Sequence, residues 1–100
     1  MNIELTKSGE ESILALCGRL DTQTAPQLES RLIPLFDSAK DIILDFEKLD
    51  YISSAGLRVV LMGEKIARIK SAKFSLLHVS ENIMEILKVT GLLDILTIKT

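Results

Sequence analysis

Two short, unbroken apolar runs constrain this chain most: DIILDF at Asp41–Phe46 and KFSLLHV at Lys73–Val79. Runs of that length without alternation suit strands buried on both faces of a sheet. A helical pattern lies between them, from about Ala55 to Ser71. Strand, helix, strand in that order calls for parallel pairing, because the crossover must carry the chain back to the same end of the sheet.

The rest of the chain extends this scheme. In NIELTKSGEESILALCGRL, Ile3 and Leu5 alternate with polar neighbours, Ser8-Gly9-Glu10 is turn chemistry, and an apolar strand follows over Ile13–Leu20, closing near Gly18. Asp21, Thr22 and Thr24 can each cap the next segment, and Pro26 suits a first helical turn. Leu28, Leu32, Leu35 and Phe36 then share a face, with Pro34 predicting a kink or early stop near Ile33. SENIMEILKVTG reads as another helix, capped by Ser80 and stopped at Gly91, and DILTIK as a last short strand. The expectation is one α/β domain over residues 1–100. Its mixed sheet has about four to five strands, with a parallel core and an antiparallel N-terminal edge, packed with about three to four helices. A chain of this size buries roughly two thirds of its unfolded surface without staples.

Composition removes several functions. A net charge of −2, one Tyr and no Trp argue against a nucleic-acid binder. The single Cys17 cannot form an internal disulfide, and no zinc-type spacing is present. MNIELTKSGE lacks the apolar core of a signal peptide, and no apolar stretch is long enough to span a membrane. The expectations are a cytoplasmic protein, no membrane insertion and no cofactor, since no Gly-rich phosphate loop is seen.

The stretch DYISSAGLRVVL, Asp50–Leu61, is unusual. It places Gly56, a poor helix former, in the first turn of a helix. On a helical wheel Val59, Met62, Ile66 and Ile69 share the face expected to meet the core, flanked by Val60 and Gly63. Leu57 and Leu61 fall opposite, with Glu64 and Arg68, and are expected to face solvent or a partner. Ser53 or Ser54 would cap the helix, and neither has Glu or Gln three residues on to complete a capping box. Free N–H groups and the helix dipole favour an anion there, so a phosphoserine would be tolerated. It would add about −1.5 to −2 charges to any interface built on this turn.

DYISSAGLRVVL, together with CGRLDTQTAPQLESRL and the closing VTGLLDIL, resembles the STAS domain of bacterial anti-sigma factor antagonists. The resemblance covers nearly the whole chain. It implies a partner that is an anti-sigma factor and also a serine kinase. Binding that kinase releases a sigma factor, phosphorylation of the turn ends binding, and a serine phosphatase restores it. The modified residue lies two before the turn glycine, which here is Ser54, with Ser53 as rival. The implied docking surface takes in Asp21, Thr22, Ser53, Ser54, Gly56, Leu57 and Leu61. Two positions depart from the family pattern: Ser53 stands where Asp is common, and Ala55 where Ser or Thr is often found.

Other functions are less well supported. His78 sits in an apolar run and reads as a core residue, and Cys17 as a small buried hydrophobe. Asp21, Asp45 and Asp50 could crowd one sheet edge as a metal or phosphotransfer site, but no companion lysine motif accompanies them. An enzyme is therefore not expected. The alternative within the family is a STAS accessory subunit, docked without a phosphorylation cycle on the ATPase of a lipid-transport ABC system or in a signalling assembly.

Overall fold

The computed structural model describes residues 1–99. In chain order the elements are β1 (Asn2–Ser8), β2 (Glu11–Leu20), α1 (Ala25–Leu32), β3 (Asp41–Ile52), α2 (Ser54–Lys70), β4 (Lys73–Leu77), α3 (Glu81–Val89) and β5 (Ile98–Lys99). Short 3₁₀ turns occupy Ile33–Asp37 and Leu92–Asp94. The five strands lie in the order β1-β2-β3-β4-β5. The first pair is antiparallel and the rest are parallel. The mixed sheet with an antiparallel N-terminal edge is thus as expected, and Pro34 does end the first helix, converting it to the tighter 3₁₀ form. Ser80 caps α3 by accepting the Ile83 N–H, and Gly91 follows that helix with φ 79°, which a side chain would resist.

Each parallel step moves one strand along in the same direction, so right-handed crossovers place α1, α2 and α3 over the same face. One apolar cluster confirms it. Leu14, Leu16, Ile42, Leu44, Phe46, Phe74 and Leu76 of the strands meet Leu28, Leu32, Val60, Ala67, Ile83 and Leu87 of the helices. Fully burying side chains of this size stabilises by about 1.5–3 kcal/mol each. By strand alternation the other face carries Ile13, Ala15, Cys17, Ile43, Asp45 and Glu47; no described helix covers it, yet Ile43 at its centre is only 3% exposed.

Two expectations fail on that face. Cys17 is exposed rather than buried. His78 is also exposed: it lies just past β4 with φ 57° and turns outward to Asp45. The Asp21, Asp45 and Asp50 grouping disfavoured above does not form among the described residues: Asp21 turns back into its own loop, and Asp45 gathers with Glu47 and His78 instead.

The face expected for α2 holds in part: Val59, Val60 and Gly63 are buried and Ile66 packs on the core, but Met62 is only half-buried and Ile69 is 82% exposed. The buried stripe of α2 also takes in Gly56 and Ala67. Small residues mark this face because the helix lies close against its neighbours. A Cβ on Gly63 would stand 2.9 Å from Phe74 Cζ and 3.0 Å from Leu32 Cδ2. Leu57, expected outside, retains only 9% exposure and belongs to the core; Leu61 is half-buried. Glu64 is buried too, and pairs with Arg68 at 2.8 Å; Arg68 also donates to the Ile95 carbonyl, tying α2 to the C-terminal segment.

Candidate functional site

The ends of β2 and β3 bring the two loops of interest together. Arg19 pairs with Tyr51 and Leu20 with Ile52, and the Ser53 N–H donates to the Leu20 carbonyl at 2.8 Å. β3 fits beside the shorter β2 only through register shifts, at Ala15/Cys17 and at Gly18/Arg19. Gly18 lies at the second shift with φ 109°, a conformation that favours glycine. Past it, the Arg19 guanidinium stacks 4.2 Å above the Tyr51 ring on the open face.

The loop after β2 is held by its own side chains. Asp21 Oδ1 accepts the N–H groups of Gln23 and Thr24 at 3.0 and 3.1 Å, and the Asp21 N–H donates to Thr24 Oγ1 at 2.8 Å. The Thr24 hydroxyl can donate to the Arg19 carbonyl, 2.7 Å away. This reciprocal bonding satisfies the entrance to α1. The bond from the Thr24 N–H is the main reason the Asp21 carboxyl lies below its ordinary range, with the other Thr24 and Gln23 bonds and Arg19 acting the same way against partial desolvation. Asp21 therefore shapes the loop, and Thr22 is its exposed tip.

The loop after β3 separates the two serines. Ser53 is the N-cap of α2, extended at φ −98° and ψ 175°, with its Oγ 3.4 Å from the Gly56 N–H. Ser54 is the first helical residue and is exposed, and its side chain makes no hydrogen bond among the described residues. Gly56 is buried. A Cβ there would meet Leu20 Cγ at 2.7 Å and Ile52 Cγ1 at 3.0 Å. Glycine is thus required by the chain's own packing, and Gly56 and Leu57 do not form part of an open docking surface, contrary to the sequence expectation. What the edge does offer is Thr22 and Ser54, both exposed, with half-buried Asp21, Ser53 and Leu61 beside them. Arg19, Tyr51 and Arg58 are exposed as well, and sequence reasoning missed all three; their pairing across β2 and β3 depends on a register shift that no local pattern announces.

Comparisons with known proteins bear on the family and the fold. A family model described as "Mlab, STAS domain" matches residues 3–97. The chain belongs to the STAS family. It is 34% identical over 96 residues to a Bordetella bronchiseptica protein named "Putative anti-sigma factor antagonist BtrV", covering 95% of this chain and 83% of that one. It is 26% identical over 98 residues to the anti-sigma-B factor antagonist of Bacillus subtilis, covering 98% and 90%. A Thermotoga maritima crystal structure, described as that of "a putative anti-sigma factor antagonist", superposes with a TM-score of 0.91 at 21% identity, over 98% of this chain and 86% of that one; this likeness bears on the fold alone. These STAS proteins carry the names of regulatory binding proteins, not of enzymes. No described helix is long and apolar enough to cross a membrane.

Proposed function

We propose that this STAS protein is an anti-sigma factor antagonist whose docking edge is the paired loops at Asp21–Thr22 and Ser53–Ser54, and that phosphorylation of Ser54 switches it off. One observation carries the choice of residue. Ser53 is engaged as the cap of α2, whereas Ser54 stands at the first position with an exposed hydroxyl. A kinase can reach Ser54 without breaking the cap. The phosphate would add about −1.5 to −2 charges at pH 7, beside free N–H groups at the helix start that favour an anion. Arg58 is exposed four residues further along α2, a spacing at which side chains are neighbours on a helix surface, so its charge favours a phosphate on Ser54. The fold therefore tolerates the modification, and the cost falls on a partner that docks there.

In this reading the partner is a kinase-type anti-sigma factor, which is held by the unmodified chain and so releases its sigma factor. A serine phosphatase returns the phosphorylated chain to the binding state, and the cycle runs in the cytoplasm without a cofactor bound to this chain. The relatives named as antagonists support this assignment. The test is calorimetric titration of wild type and Ser54→Asp against the purified anti-sigma factor. A loss of about tenfold or more in affinity is expected, equivalent to about 1.4 kcal/mol; equal affinities would remove the switch.

A second reading has two observations in its favour. The matching family model bears the name Mlab rather than that of an antagonist, and Ser53 and Ala55 depart from the antagonist pattern. In that case the same edge would dock permanently on a transporter ATPase, with no modified serine.

A further inference from the structure

A cluster outside the docking edge bridges β3 and β4. Asp45 and Glu47 project from β3 on the face no helix covers, and His78 follows the end of β4, whose Leu77 pairs with Asp45. His78 Nδ1 stands 2.9 Å from Asp45 Oδ1 and 3.4 Å from Glu47 Oε2, and the three side chains offer donor atoms within 4.8 Å of one another. We propose that Asp45, Glu47 and His78 form a binding site for a divalent transition-metal ion of the zinc type.

Spacing supports this first. Two ligand atoms each about 2.1 Å from a zinc ion stand about 3.4 Å apart at a tetrahedral angle and about 3.0 Å apart at a right angle. The separations from His78 Nδ1 to the two carboxylates, 2.9 and 3.4 Å, fall close to that range. Charge supports it next. Two carboxylates converge on one imidazole, so even a protonated His78 would leave one negative charge over. A divalent ion balances both carboxylates and takes the imidazole neutral. The donor types point to the kind of ion: an imidazole beside two carboxylates suits zinc, cobalt or nickel, whereas magnesium and calcium prefer all-oxygen sites. The Asp45 carboxylate is fixed in place by the Glu47 N–H, 3.0 Å from Oδ1. Access is open, since Glu47 is 63% and His78 50% exposed, and the two carboxylates also line a hollow of about 370 Å³ with Asn2, Glu4, Cys17 and Lys48. An ion held there would clip β4 to β3 and leave water in its remaining positions.

The test is titration of the metal-free protein with Zn²⁺ by calorimetry, with Mg²⁺ and Ca²⁺ for comparison. Saturable binding of one Zn²⁺ per chain is expected, tighter than either comparison ion and weakened about tenfold or more in His78→Ala and Asp45→Asn. His78 is the only histidine, so its ring signals in a ¹H–¹³C spectrum of the wild type are unambiguous and must shift as Zn²⁺ is added. Absence of saturable binding, unmoved His78 signals, a smaller loss in these variants, or loss of binding in Cys17→Ser instead would each overturn the proposal.

Discussion

Gly56→Ala separates the two accounts of why a glycine begins α2. In an ordinary helix the change is favourable, by up to about 1 kcal/mol in the interior and less in a first turn. Here the added Cβ would lie 2.7 Å from Leu20 Cγ, 3.0 Å from Leu20 Cδ2 and 3.0 Å from Ile52 Cγ1. Leu20 is wholly buried and Ile52 retains 3% exposure, so neither can swing aside. Overpacking of this kind costs about 1–3 kcal/mol. Set against a small propensity gain, the net loss is about 1–2 kcal/mol. For a domain of this size each 1 kcal/mol shifts the midpoint by about 4–8 °C. Thermal unfolding followed by circular dichroism should therefore show Tm lower by about 5–15 °C. A Tm equal to or above that of the wild type would mean that Gly56 is not held by packing, and would restore it as a residue kept for a partner.

Leu57→Ala should cost about 2–4 kcal/mol in urea unfolding, because its side chain belongs to the core; a change below about 0.5 kcal/mol would return Leu57 to the surface. Ser53→Ala should cost about 0.5–1 kcal/mol, given the 3.4 Å cap bond, and Ser54→Ala almost nothing. The reverse order would exchange their roles. Asp21→Asn keeps an acceptor for the Gln23 and Thr24 N–H groups but removes the charge. Because the folded Asp21 carboxyl lies below its unfolded value, the wild type should hold an advantage above about pH 4. That advantage should shrink as the pH falls through the folded value. Stability curves that stay parallel from pH 6 to pH 2 would refute it.

The order of elements was legible because apolar runs and helical periods alternate cleanly, and because Pro34 and Gly91 punctuate them. The length of β3 was not. It continues to Ile52 through the polar Glu47, Lys48 and Asp50, since that half of the strand has one face open to solvent. Ile42, Ile43 and Leu44 are buried on both faces as their run predicts, but Cys17 and His78 lie beyond that buried centre and are exposed. The orientation of α2 was legible only in part, because a wheel weights large side chains. Close packing selects Gly56, Gly63 and Ala67 instead and leaves Ile69 outside. That a turn carrying Ser53 and Ser54 opens α2 was legible from the sequence. Which serine caps and which is free depends on the backbone at Ser53, and adjacent identical residues carry no signal for that.

The central claim is a Ser54 switch on a docking edge, and affinity purification of the tagged chain from its native bacterium tests it most directly. Mass spectrometry would identify the bound protein and any phosphate on Ser53 or Ser54. The account predicts a kinase-type anti-sigma factor bound to the unmodified chain, with phosphate on Ser54 in the unbound pool. A transporter ATPase bound to a chain with neither serine modified would contradict it.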